Sequence, residues 1–258
     1  MQIKWNVLIY FLKGKHLLHT IATIFLLPIL FIQGLYVKWA TPKLPEATGA
    51  RAGIFGFGHK IALLIVGDSA TAGVGVNTQE EAFVGQLVSS LSPEYEISWK
   101  LIAQTGLKAK DIVERLRSAD AESFDVALLS VGVNDVTRGT GANAWRVSQL
   151  SLIKLLKEKF GCRHVFLSGI PPMHLFPALP QPLRWWLGVK AKKFNQILKM
   201  ICEEERCTLV QMDLPFEKEY MAEDGFHPGA SAYAIWGRYT AEVIRQIIKQ
   251  AENLQTAS

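Results

Sequence analysis

Cysteine is scarce in this chain: Cys162, Cys202 and Cys207 are the only three in 258 residues. The number is odd and no Cys-x-x-Cys pair occurs, so neither a disulfide framework nor a zinc site is expected. The three are read as buried free thiols, with Cys202 and Cys207 at one helix–strand junction. An excess of one charge is also missing from most of the chain. Residues 53–258 hold 22 basic and 22 acidic side chains, and the formal charge of +5 lies wholly in residues 1–52. There Lys4, Lys13, Lys15, Lys38, Lys43 and Arg51 face Glu46 alone. Positive charge that brackets an apolar run makes no stripe on a folded face, so nucleic acid is not an expected partner. Gly73-x-Gly75 lacks both the Lys-Ser/Thr of a phosphate loop and the third glycine of a dinucleotide fingerprint. No Gly-x-Ser-x-Gly is present, and no internal repeat or low-complexity tract is visible.

One stretch has no charge at all. Residues 17–37, LLHTIATIFLLPILFIQGLYV, run 21 positions without Asp, Glu, Lys or Arg. At about 1.5 Å per residue, a helix of that length spans a hydrocarbon core. Lys13 and Lys15 flank one end and Lys38 the other, with Tyr36 and Trp39 as interfacial aromatics. Pro28 would kink such a helix without forbidding it. The segment is expected to be a retained membrane anchor within residues 1–40. A cleaved signal and a helix packed on another surface are the rivals. The N-terminal lysines favour the amino terminus inside and the body outside the cytoplasm, as for a protein of the bacterial cytoplasmic membrane. Residues 41–58, rich in Ala, Gly and Pro, read as a linker, and residues 59–258 as one folded domain.

With 49% hydrophobic residues, that domain can bury a sizeable core. Strand-like runs at Ile61–Val66, Tyr95–Ala103, Phe124–Val131, His164–Ser168 and Cys207–Met212 alternate with helical patterns at Thr78–Leu91, Lys108–Ala119, Asn143–Phe160, Val189–Glu205 and Ala230–Lys249. The first helix is expected to open on a Thr78/Glu81 capping box. Such alternation predicts an α/β fold with a five-stranded parallel sheet covered on both faces, preceded by the N-terminal hydrophobic helix. Ligand sites in such sheets lie at the carboxyl ends of the strands.

Three motifs fall on that edge: Gly67-Asp68-Ser69, Gly132-Val133-Asn134-Asp135 and Asp224-Gly225-Phe226-His227-Pro228. A serine hydroxyl needs a base to become a nucleophile. His227 supplies one, and Asp224 would orient its second ring nitrogen. A loop histidine bonded to a neighbour is the bland alternative. The backbone N–H groups of Ser69 and Gly106 and the side-chain amide of Asn134 are the candidate donors for an anionic tetrahedral intermediate. Asp68 reads as a loop organiser and Asp135 as a helix or turn cap. Paired carboxylates for glycoside chemistry are therefore not the better explanation.

Over about residues 60–250 the chain resembles the SGNH hydrolases, the GDSL esterase/lipase family. Gly67-Asp68-Ser69, Gly106, Gly132-x-Asn134-Asp135 and Asp224-x-x-His227 stand for its four blocks, with Ala70 where the family has leucine. The resemblance implies a flavodoxin-like three-layer α/β/α sandwich with strand order 2-1-3-4-5. It also implies a Ser69, Asp224, His227 triad and carboxylic ester hydrolysis without metal or organic cofactor. The expected partners are a small-molecule or lipid ester and, through residues 17–37, membrane lipid. Transfer of the acyl group to a sugar or lipid hydroxyl, deacetylation of cell-envelope sugars, and a non-catalytic membrane-anchored binding protein stand as alternatives.

Residues 170–188, IPPMHLFPALPQPLRWWLG, carry five prolines and read as a long loop on the same edge. Met173, Leu175, Phe176, Trp185 and Trp186 are its candidates for an acyl-pocket wall. A satellite core under the loop and a membrane contact with Arg184 at the headgroups fit the same composition.

Overall fold

The computed structural model describes residues 25–211 and 214–256. The sheet grows outward from strand β2 (His59–Gly67), in which Leu63, Leu64, Ile65 and Val66 are all buried. A strand apolar on both faces must be covered on both. Leu63 and Ile65 face one layer, which holds helices α2 (Phe83–Leu91) and α7 (Ala230–Thr256). Leu64 and Val66 face the other, which holds α3 (Ala109–Ser118), α5 (Ala142–Glu158) and α6 (Leu183–Glu205). The result is a three-layer α/β/α sandwich.

Five strands run parallel: β2, β3 (Tyr95–Ala103), β4 (Val126–Ser130), β5 (His164–Ser168) and β6 (Thr208–Val210). Counted from β2, their order is 2-1-3-4-5. Register brings Gly67 opposite Ala103 on one side and Ser130 on the other. The loops after three strands therefore leave the sheet side by side, including the short helix α4 (Val133–Thr137).

The sheet has six strands, not five. Strand β1 (Ala52–Phe55) pairs antiparallel with the outer edge of β3, from Ala52 opposite Lys100 to Phe55 opposite Ile97. It lies inside the segment expected to be a linker. Pairing satisfies backbone groups of β3 that would otherwise be an open edge. All four β1 residues are exposed, so no buried face marked it in the sequence.

Two helix starts differ from expectation. Helix α2 begins at Phe83, because Thr78 bridges to Thr48 and the Glu81 carboxylate accepts the N–H of Asn77 rather than capping Thr78. Helix α6 begins at Leu183, behind Pro182, and so takes in the last six residues of the Pro-rich stretch.

Of the expected anchor, residues 17–24 lie outside the described residues. Residues 25–40 form a helix, α1. Among the described residues no helix is long and apolar enough to cross a membrane. Helix α1 buries Leu30 and rests Leu26 and Val37 on the α5/α6 core. Gln33 bonds twice to the backbone near α6, giving its amide to Gln181 O and taking the Leu183 N–H. Phe25, Phe31, Ile32 and Trp39 stay exposed.

Candidate active site

Ser69 follows β2 at the head of a tight loop. Asp68 and Ser69 carbonyls accept the N–H groups of Ala72 and Val74. Beneath it the Asp68 carboxylate is buried, accepting from Ala70 N–H at 3.3 Å and from Gly132 N–H. Burial raises the Asp68 pKa to about 6, against the field of His227 and those two bonds.

The far end of the chain returns through Asp224–Pro228. Asp224 Oδ1 accepts the backbone N–H groups of Phe226 and His227, both at 2.9 Å, which bends the segment back on itself. Its Oδ2 lies 2.6 Å from His227 Nδ1, and His227 Nε2 lies 2.8 Å from Ser69 Oγ. Hydroxyl, ring and carboxylate thus form one hydrogen-bonded line from residues 158 positions apart. Burial works to raise the Asp224 pKa, but the bonds and charge of His227 outweigh it and hold the carboxyl below its usual range.

The two loops fit because position 75 has no side chain. Gly75 sits at φ +108°, and a Cβ there would lie 2.4 Å from Pro228 O. The buried Tyr233 hydroxyl adds a tie by donating to Val74 O at 2.7 Å.

The candidate oxyanion donors sit on the neighbouring loops. Asn134 is on α4 and gives its amide to Leu107 O at 3.1 Å. Gly106 occupies a turn at φ +85°. Asp135 is buried and accepts the Ala109 N–H at 2.9 Å, so it caps the start of α3. Lys190 Nζ donates to Asp135 O and Val136 O at the end of α4, and burial lowers its pKa to about 8.

Beside Ser69 and His227 opens a cleft of about 670 Å³, mouth included. Ile170, Phe176, Leu214, Phe216 and Phe226 are among its walls. The Phe176 ring stacks on Phe216 at 5.6 Å and meets Phe226 edge-on at 5.1 Å. Of the five expected pocket residues, only Phe176 lines the cleft. Met173 is buried in the α5/α6 core, Trp186 packs partly against it, and Leu175 and Trp185 are exposed. The first turns of α6 swing the tryptophans away from the cleft. Phe216 and Leu214 follow β6, so the carboxyl-edge rule that singled out Ser69 also pointed to them. Phe226 lies within the Asp224–His227 motif itself.

The cysteines are free, and burial pushes Cys162 and Cys202 up to about 12 and Cys207 to about 11. Among the described residues no group of three His, Cys, Asp or Glu is placed to hold a metal ion.

Several solved structures share this fold. A member of the lipolytic protein G-D-S-L family from Veillonella parvula aligns at 16% identity and TM-score 0.57, over 70% of this chain and 97% of its own. The psychrotrophic esterase EstA from Pseudoalteromonas sp., inhibited by monoethylphosphonate, aligns at 20% identity and TM-score 0.57, over 73% and 98%. The acetylxylan esterase Axe2 from Geobacillus stearothermophilus aligns at 17% identity and TM-score 0.52, over 72% and 94%. The comparison with curated proteins finds no match. The profile of the GDSL-like Lipase/Acylhydrolase family matches residues 65–235, well over half of the chain and all three motifs, and the chain therefore belongs to the GDSL, or SGNH, hydrolases.

Proposed function

We propose that this hydrolase cleaves carboxylic esters through an acyl-Ser69 intermediate. The observation that carries the reading is the 2.8 Å contact between Ser69 Oγ and His227 Nε2, backed by Asp224 at 2.6 Å. Ser69 Oγ attacks the ester carbonyl as its proton passes to His227 Nε2. Asp224 fixes the Nδ1–H tautomer and stabilises the imidazolium. The new oxyanion is met by the N–H groups of Ser69 and Gly106 and by the Asn134 amide. On collapse His227 returns the proton to the leaving alcohol. Water then attacks the acyl-serine with His227 as base, releasing the acid.

The apolar walls beside Ser69 favour an acyl chain longer than acetyl. An aliphatic or aryl acyl group would bury its surface against these walls, which an acetyl group is too small to do. We further propose that residues 17–37 anchor the protein in a membrane, with the body outside the cytoplasm. The support is the uncharged run, its flanking lysines and the exposed apolar side chains of α1.

A fluorophosphonate probe tests the chemistry. It is expected to label the wild type and not Ser69→Ala; an unlabelled, folded wild type refutes the hydrolase reading. Initial rates on 4-nitrophenyl esters from acetate to decanoate, beside acetylated xylan, then rank the substrates. Mass spectrometry with and without an added alcohol separates release of the acid from acyl transfer. Membrane fractionation of the full chain, with and without residues 1–40, tests the anchor.

A further inference from the structure

We propose that Glu46 is a positioning residue for the turn that carries the Gly106 oxyanion donor. The proposal rests on the serine-hydrolase reading above, and it concerns how one of that reading's donors is held.

The Gly106 N–H belongs to the central peptide of the turn Gln104–Leu107, closed by Leu107 N–H on Gln104 O. Gly106 at φ +85° in the third position makes this a type II turn. Types I and II differ by a flip of that central peptide. The flip reverses the direction of the Gly106 N–H, so catalysis needs one form only. Whatever fixes the flanking peptides fixes the donor.

Both flanks are gripped. On one side α4 and its cap supply two donors one helical turn apart: Asn134 Nδ2 to Leu107 O at 3.1 Å, and Arg138 Nη1 to Gly106 O at 2.9 Å. On the other side Glu46 Oε1 accepts the Thr105 N–H at 2.6 Å, and the carboxylate also takes the Thr105 hydroxyl. Glu46 Oε2 is held in turn by Arg51 Nη2 at 2.5 Å, while Arg51 Nη1 donates to Ala103 O at the end of β3, at 2.6 Å. Burial works to raise the Glu46 pKa, but Thr105 and Arg51 outweigh it. The group therefore stays an ionised, strong acceptor at neutral pH.

The same few residues also touch the loop behind Ser69. Thr48 N–H donates to Asn77 O at 2.9 Å, Gln79 N–H to Thr48 O at 2.8 Å, and Gln79 Nε2 to Ala47 O at 3.1 Å. Residues 46–48 thus form a strap between the nucleophile loop and the oxyanion turn. A stretch that composition marks as a tether is wired into both halves of the site.

The test compares the full-length wild type with Glu46→Ala and Glu46→Gln. It reads kcat and KM on a 4-nitrophenyl ester, Tm, and the Gly106 amide signal by NMR. Losing one oxyanion donor outright costs about 10²- to 10³-fold in kcat. A donor that is present but misdirected part of the time should cost Glu46→Ala about 10- to 100-fold in kcat. KM should stay within about twofold, and the Gly106 amide signal should shift or broaden. Glu46→Gln keeps an acceptor for Thr105 N–H and is expected to recover to within about threefold of wild type. Should the alanine variant fail to fold, Glu46→Leu, which keeps the side chain's bulk and removes its acceptor, carries the test through the same kcat and Gly106 signal. Wild-type kcat and an unmoved Gly106 amide in folded Glu46→Ala or Glu46→Leu overturn the proposal while the hydrolase reading stands. So does a loss that merely follows the folded fraction. A wild type inert to both ester and fluorophosphonate overturns the reading and this proposal together.

Discussion

Asp224 holds His227 at two points: Oδ2 on the ring Nδ1 at 2.6 Å, and Oδ1 on the backbone N–H at 2.9 Å. The carboxylate therefore sets both the place of the ring and its tautomer. Asn at this position would keep an acceptor for the backbone N–H and lose the anionic partner of Nδ1. Asp224→Asn is expected to lower kcat by about 10⁴-fold, as loss of the triad carboxylate does elsewhere. Its Tm should stay within a few degrees of wild type. Ester hydrolysis beside thermal unfolding checks both. Activity within tenfold of wild type would mean that the carboxylate only shapes the loop.

Gly75 is where the Ser69 loop meets the His227 loop. Alanine there would place Cβ 2.4 Å from Pro228 O and 3.0 Å from Ala222 Cβ, at φ +108°. An L-residue in that region costs about 1–3 kcal/mol before any clash is counted. Gly75→Ala is expected to lose at least about 2 kcal/mol in urea unfolding. It should also lose most activity, because the shift moves His227 away from Ser69. By contrast Ser69→Ala should lose activity with unfolding nearly unchanged.

Strands β2, β4 and β5 were legible as apolar runs that must be covered, and β3 as a longer stretch whose apolar residues alternate with Glu96, Ser98 and Lys100. The rim was legible because Gly67, Ala103 and Ser130 end in register. The meeting of Ser69, Asp224 and His227 could be foreseen from short motifs, since each loop organises itself through local bonds such as those of Asp224 Oδ1. Strand β1 was not legible. It is an edge strand with every residue exposed, and an edge strand is specified by its partner's open backbone rather than by its own pattern. The start of α6 was hidden by five prolines, none of which falls inside the helix. The cleft walls depended on which way α6 turned Trp185 and Trp186, and no local signal carries that.

Asp68 gives the stability a pH signature. Its folded pKa of about 6 lies above the ordinary 3.8. Between those values the native state holds a proton that the unfolded state has lost. By linkage, stability falls as pH rises through that window, and the full cost of burying the anion is present above it. A shift of that size corresponds to about 3 kcal/mol at most. Asp68→Asn keeps an acceptor for Ala70 N–H and carries no charge. Its stability relative to wild type is therefore expected to climb from pH 4 to pH 7 by about 1–3 kcal/mol. Urea unfolding of both proteins at several pH values measures the difference, from which Asp224 and the other carboxylates cancel. A flat difference would mean that Asp68 is ionised in both states across the window.

Phe216 controls the depth of the cleft if the acyl chain lies where the proposed chemistry needs it. Its ring stacks on Phe176, both line the space beside Ser69, and the segment 214–216 leaves the sheet after β6. Phe216→Trp adds bulk at the wall without adding charge or altering Ser69, His227 or Asp224. Each methylene accommodated in an apolar pocket is worth about 1 kcal/mol or more of discrimination. The variant is thus expected to lower kcat/KM on decanoate by about 10-fold or more, leave acetate within about twofold, and move the chain-length optimum downward. Phe216→Ala should do the reverse, lengthening the preferred chain while weakening binding of short esters. Leu175 and Trp185 are exposed and outside the cleft walls, so Leu175→Ala and Trp185→Ala should leave the optimum where it is. A profile that responds to Trp185 and not to Phe216 would place the acyl group outside this cleft.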